Sequence, residues 1–148
     1  MTQAPVVIFL YNRPYQTIKT LIYLKKNSLC KSTDLIVFSD GYKKKNRLDK
    51  KKVELVRNII KNINGFKSKK IFFRNKNFGL YKNITTGLDK VFTSNDKAII
   101  LEDDIIVNKF FLKYLNNALQ IYKTDRNVSS IHGWFSEHNK KIPNTFFL

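Results

Sequence analysis

Four short, uninterrupted apolar runs decide most of what this chain can become. They are Pro5-Val6-Val7-Ile8-Phe9-Leu10-Tyr11, the Leu-Ile-Val-Phe within Asp34 to Ser39, the Ile-Phe-Phe within the short strand expected at Lys70 to Arg74, and Ala98-Ile99-Ile100-Leu101. A strand with one face in water alternates apolar and polar side chains, whereas a strand covered on both faces reads as continuous apolar sequence. The runs therefore predict a parallel sheet with helices on both sides.

Between the runs the periodicity changes. Ile18, Leu21, Ile22 and Leu24 recur at helical spacing, after Asn12 as the expected N-cap and Pro14 in the first turn. Lys43 to Lys52 reads as a charged loop or helix start. Val53, Leu55, Val56, Ile59, Ile60 and Ile63 then predict a second helix, stopped by Asn64-Gly65. Asn75 to Gly79 reads as a turn, Leu80 to Phe92 as a third helix, Phe110 to Tyr122 as a fourth, and Val128 to His132 as a fifth strand. This alternation predicts an α/β fold with a mostly parallel sheet flanked by helices, in one domain across the 148 residues.

Composition matters at three points. An apolar content of 43% and an aromatic content of 14% support a packed core rather than a disordered chain. The net charge of +17 admits nucleic acid or an anionic membrane as a partner. Lys, Asn, Ile and Phe are all frequent, however, so part of the charge reflects compositional bias and is discounted as a signal. The single cysteine, Cys30, excludes an internal disulfide and a cysteine-based metal site, which fits a reducing compartment. The first residues lack the basic and apolar segments of a signal peptide, and no apolar run reaches the roughly 18 residues a bilayer span requires. The expected location is cytoplasmic, with peripheral contact at the inner face of the membrane.

In open parallel sheets, ligands bind beyond the carboxyl ends of the strands. Three segments fall there: Asn12-Arg13, Ser39-Asp40-Gly41 and Glu102-Asp103-Asp104. Adjacent carboxylates at the end of a buried strand repel one another and are costly without a cation. A hard divalent ion, Mn²⁺ or Mg²⁺, takes one or two carboxylates and completes its shell with substrate phosphates. A solvated acidic turn is the plain alternative for the trio, and its place after a buried strand argues against that. Asp40 before Gly41 could accept hydrogen bonds from a base or ribose, or be an ordinary Asp-Gly turn. Arg13 could pair with phosphate, or be a surface arginine at a helix start. Asn75 to Leu80 leads into a helix bearing Asn83 and Gly87, where a helix N-terminus could receive phosphate. His132, Trp134, Glu137 and His138 could contribute stacking or acid–base groups, although partly buried loop residues are the commoner explanation. No Ser-His-Asp arrangement and no Gly-rich phosphate loop is present.

Taken in order, Tyr11-Asn12-Arg13, Phe38-Ser39-Asp40-Gly41, Asn77-Phe78-Gly79-Leu80 and Leu101-Glu102-Asp103-Asp104-Ile105 resemble the nucleotide-sugar-binding half of GT-A-fold glycosyltransferases. The nearest resemblance is to the N-acetylglucosaminyltransferases that initiate complex N-glycans and their bacterial relatives near glycosyltransferase family 2. Phe110-Phe111 and Tyr114 follow in the same manner, so the resemblance covers nearly the whole chain. It implies a Rossmann-like nucleotide-sugar-binding domain over residues 1–148 and a UDP-sugar donor. Asp104 would be the direct metal ligand, Glu102 and Asp103 would contact donor ribose or sugar hydroxyls, Asp40 would bind the base, and Arg13 would help hold the nucleotide. It further implies a glycan or lipid-linked acceptor whose binding part, with the catalytic base, lies outside this chain. That expectation puts independent catalysis in doubt. Three rival readings remain: a basic nucleic-acid module using Lys43–Lys52 and Lys67–Lys70, an inactive transferase fragment, and a nucleotidyltransferase.

Overall fold

The structure is a computed structural model, and residues 2–133 are described. Four strands, β1 (Val6–Leu10), β2 (Asp34–Ser39), β3 (Ser68–Phe73) and β4 (Ile99–Glu102), alternate with helices α1 (Pro14–Lys25), α2 (Arg47–Asn62), α3 (Leu80–Phe92) and α4 (Phe111–Ile121). All three strand pairings are parallel, and the spatial order is β3-β2-β1-β4. The fold is therefore α/β and Rossmann-like, as the apolar runs predict, but the edge strands β3 and β4 are not covered on both faces: Ser68, Lys69, Lys70 and Ile100 are exposed. The chain adds strands outward from β1 through β2 to β3, then returns to lay β4 against the other side of β1. The carboxyl ends of β1 and β4 thus flank the point where strand order reverses.

Two cores sandwich the sheet. Val6, Ile8, Leu10, Leu35 and Val37 pack with residues of α1, α2 and α4, among them Leu21, Leu24, Val56, Ile60, Leu112 and Leu115. On the opposite face, Val7, Phe9 and Phe38 pack with Val91, Ile84 and Leu88 of α3. The rings of Phe9, Phe38 and Phe72 stack across three strands, with centroids 5.3 and 4.8 Å apart. Gly87 lets α3 lie on this stack, because a Cβ there would meet the Phe9 ring at 2.6 Å.

Three sequence expectations need correction. Arg13, not Asn12, is the N-cap of α1, and no side chain caps that end. Asn12 instead donates from its side-chain amide to Asp49. Helix α1 is also rotated from the expected apolar face. Thr17, Thr20, Leu21 and Leu24 are buried, while Ile18 and Ile22 are exposed. The threonines tolerate burial because their hydroxyls donate to backbone carbonyls of Arg13 and Asp103 at 2.8 and 2.9 Å. Finally, Val128–His132 forms no strand. Ile131 packs against the main core from an irregular segment, and Gly133 lies against the Phe111 ring. Trp134, Glu137 and His138 lie outside the described residues, as does the Phe146-Phe147-Leu148 end.

Candidate functional site at the carboxyl ends of the strands

The polypeptide leaves β1 through Tyr11-Asn12-Arg13 and leaves β4 through Asp103-Asp104. These two exits meet. Arg13 Nη1 lies 2.9 Å from a carboxylate oxygen of Asp104 and 3.3 Å from one of Asp103. The Arg13 and Asp104 side chains are about half exposed, at 53% and 49%, whereas Asp103 keeps only 10% of its side-chain surface. Glu102 is the last residue of β4 and exposed. The acidic trio is therefore split: one carboxylate is buried, two face outward, and a guanidinium bridges Asp103 and Asp104.

Burial pushes the Asp103 carboxyl above its ordinary value. Arg13 and the Tyr11 backbone N–H oppose that rise, and Asp104 and Glu102 add to it. Such a carboxylate gains from any cation brought near. The backbone beneath it is fixed, since the buried Thr20 hydroxyl on α1 donates to the Asp103 carbonyl.

The exit of β2 has a different character. Asp40 is buried, and both carboxylate oxygens are saturated by protein donors. One oxygen accepts the Gly41 and Phe78 N–H groups, each at 2.8 Å; the other accepts the Gly79 N–H and the Asn77 amide, each at 3.1 Å. Asn77 also donates to the Gly41 carbonyl at 2.9 Å. Asp40 thus fastens the loop before α3 to the end of β2. Gly41 is required by that approach, because a Cβ would meet the Lys76 backbone at 2.4–2.8 Å. With four donors already on its carboxylate, Asp40 reaches a nucleotide base only by releasing the loop.

Asp49, in the first turn of α2, carries a role that the apolar pattern did not reveal. It accepts the Tyr11 hydroxyl at 2.7 Å, the Asn12 amide, and the Lys43 N–H at 2.6 Å. Its own N–H donates to the Asn46 side chain, which caps α2. Burial alone would raise its carboxyl, but these donors hold it below the ordinary value. The Tyr11 hydroxyl is correspondingly pushed far up by burial and by Asp49. The Asn-x-x-Asp spacing was the available signal, since Asn46 caps and Asp49 sits in the first helical turn.

Two arginines complete this end of the sheet. Arg57 of α2 donates to the Arg74 carbonyl at 2.7 Å and the Asp40 carbonyl at 3.3 Å, and it lies over the Phe73 ring. Arg74 bonds Asn83 and Thr86 of α3 and lies against Phe38 and Phe78. A groove lined by Thr2, Gln3, Pro5, Asp34, Lys67 and Lys97 sits at the opposite ends of the strands, away from these groups.

The structure thus brings Arg13, Asp103 and Asp104 together and assigns Asp40 to a closed knot of its own. Among the described residues, no group of three or more His, Cys, Asp and Glu side chains is arranged to hold a metal. Two converging carboxylates do occur, which is as many as a divalent ion completed by phosphate oxygens uses. Neither a protein-family model nor a curated protein sequence matches the chain.

Proposed function

We propose that the chain is the donor-binding module of a glycosyltransferase, taking a nucleotide sugar, with UDP as the nucleotide, at the crevice between β1 and β4. The observation that carries this reading is the convergence of Asp103 and Asp104 on a single cationic group where the strand order reverses. One carboxylate is buried and raised, and the other faces outward. This pair fits a divalent ion such as Mn²⁺ or Mg²⁺, because both oxygens already point at one positive charge. Asp104 would be the direct ligand, and Glu102 and Asp103 would flank the donor. The ion would offset charge on the departing nucleoside diphosphate.

The chain's own residues prepare that crevice. Arg13 offsets the repulsion between the two carboxylates, and its half-exposed guanidinium can pass to the diphosphate. Thr20 fixes the acidic turn from below. Asp49 orders the Tyr11-Asn12 exit, and Asp40 orders the turn before α3. The acceptor hydroxyl, on a glycan or lipid-linked sugar, would attack the anomeric carbon, and this module would supply the donor side of that reaction.

Lysines of α2, β3 and α3 around the β3 aromatics favour this reading over stacking of nucleic-acid bases. Lys70 and Lys90 lie over the Phe72 ring and Lys61 over Phe73. Those aromatic faces are already taken by cations. The decisive experiment is thermal unfolding with UDP-sugars and Mn²⁺. A rise in Tm that Asp104→Ala abolishes is expected; no shift with any nucleotide sugar would sink the proposal.

A further inference from the structure

Helix α1 presents an outward face that an ordinary solvated helix does not need. Tyr15, Ile18, Ile22 and Tyr23 are 65%, 43%, 50% and 38% exposed. Lys19, Lys25 and Lys26 lie on the same side, because positions 15, 18, 19, 22, 23 and 26 share one helical face and 25 borders it. The sequence Pro14–Lys25 contains no acidic residue. Two of the lysines extend over the neighbouring tyrosines, Lys19 at 4.6 Å from the Tyr15 ring centre and Lys26 at 4.4 Å from that of Tyr23. The helix buries two threonines toward the sheet while turning two isoleucines outward.

We infer that this face of α1 is a docking surface for an anionic membrane. Isoleucine supplies the part that leaves water, tyrosine suits the boundary between headgroups and acyl chains, and lysine stems lie along the apolar surface with their ammonium groups at the phosphates. Charge complementarity selects this occupant: the face carries Lys19 and Lys26, with Lys25, which also donates to Asn64, at its border, and no acid. Nucleic acid would account for the lysines and leave the isoleucines unexplained. No helix among the described residues is long and apolar enough to cross a membrane, so α1 would lie along the surface. Since α1 begins at Pro14, directly after Arg13, docking would hold the carboxyl ends of the strands close to the headgroups. The inference stands independently of the sugar-transfer reading.

The test is vesicle flotation with the full chain, using mixed phosphatidylglycerol–phosphatidylcholine vesicles against phosphatidylcholine alone. Binding to the anionic vesicles only is expected. Each lysine at such a surface is worth roughly fivefold in binding, so Lys19→Gln with Lys26→Gln should weaken it roughly 25-fold. Ile18→Ser with Ile22→Ser should weaken it by at least about tenfold while keeping the circular dichroism spectrum, since both side chains are already half exposed. Lys51→Gln with Lys52→Gln, on the exposed side of α2, removes the same charge elsewhere and should cost clearly less. Absence of flotation, equal flotation with neutral vesicles, or unchanged flotation of the isoleucine variant overturns the inference. A concentration-dependent dimer abolished by the isoleucine variant, seen by light scattering without flotation, overturns it in favour of a second copy of the chain.

Discussion

The exits of β2 and β4 both place an aspartate just beyond a strand of the sheet, yet they solve opposite problems. Asp40 is closed on every side by protein donors, and the loop before α3 depends on it. Asp103 is buried with partial compensation, and its partner is the half-exposed head of an arginine that reaches in from solvent. A carboxylate surrounded by N–H groups is a structural fastener. One pushed up by burial, with a second carboxylate beside it, keeps charge that a single arginine answers only in part. The proposed donor site accordingly falls at the strand end where the protein leaves charge incompletely answered.

Mutation should separate the two ends most sharply at Asp40. Asp40→Ala leaves three N–H groups and an amide without their acceptor, and a loss of about 3–5 kcal/mol in urea unfolding is expected. Asp49→Asn should cost about 1–2 kcal/mol at neutral pH, because the amide keeps only part of the donor set. The sign of its pH dependence follows from a lowered carboxyl. The fold favours the ionised form, so the contribution is complete above the ordinary value of 3.8 and is lost as pH falls through the lowered one. Acid unfolding of the wild type should therefore carry a slope on that side that Asp49→Asn reduces. Asn77→Ala removes two hydrogen bonds at the edge of the same knot and should cost about 1 kcal/mol.

The smallest stability effect is expected at the other end. Asp103→Asn removes a burial penalty together with an ion pair, and these should cancel to within about 1 kcal/mol at pH 7. The same variant should lose the Tm response to UDP-sugar with Mn²⁺. Should Asp103→Asn unfold the protein as readily as Asp40→Ala, the two strand ends would be alike and the contrast between fastener and ligand site would fail.

Much of the framework was legible because it rests on simple periodicities. Uninterrupted apolar runs marked the strands, and Leu80–Phe92 matches α3, which Gly79 precedes with a φ of 77°. The orientation of α1 was illegible for a physical reason: Thr17 and Thr20 look like surface residues until partners for their hydroxyls are known, and those partners come from Arg13 and from Asp103 across the fold. Val128–His132 has the residues of a strand, but strand formation also needs a pairing edge, which local sequence does not specify. At the site, the acidic turn and Arg13 were visible as neighbours of strand ends. Their bridging, and the closure around Asp40, depend on strand order, which apolar runs leave open.

The hydrogen bond from Thr20 to the Asp103 carbonyl gives α1 a second face with a task. A helix is a stiff rod about 10 Å across, so displacement of one side is displacement of the other. One rigid element thus carries on one side the exposed Ile18 and Ile22 and on the other the hydroxyl that anchors the acidic turn, so the outer surface and the carboxylates are separated by no more than the width of a single helix.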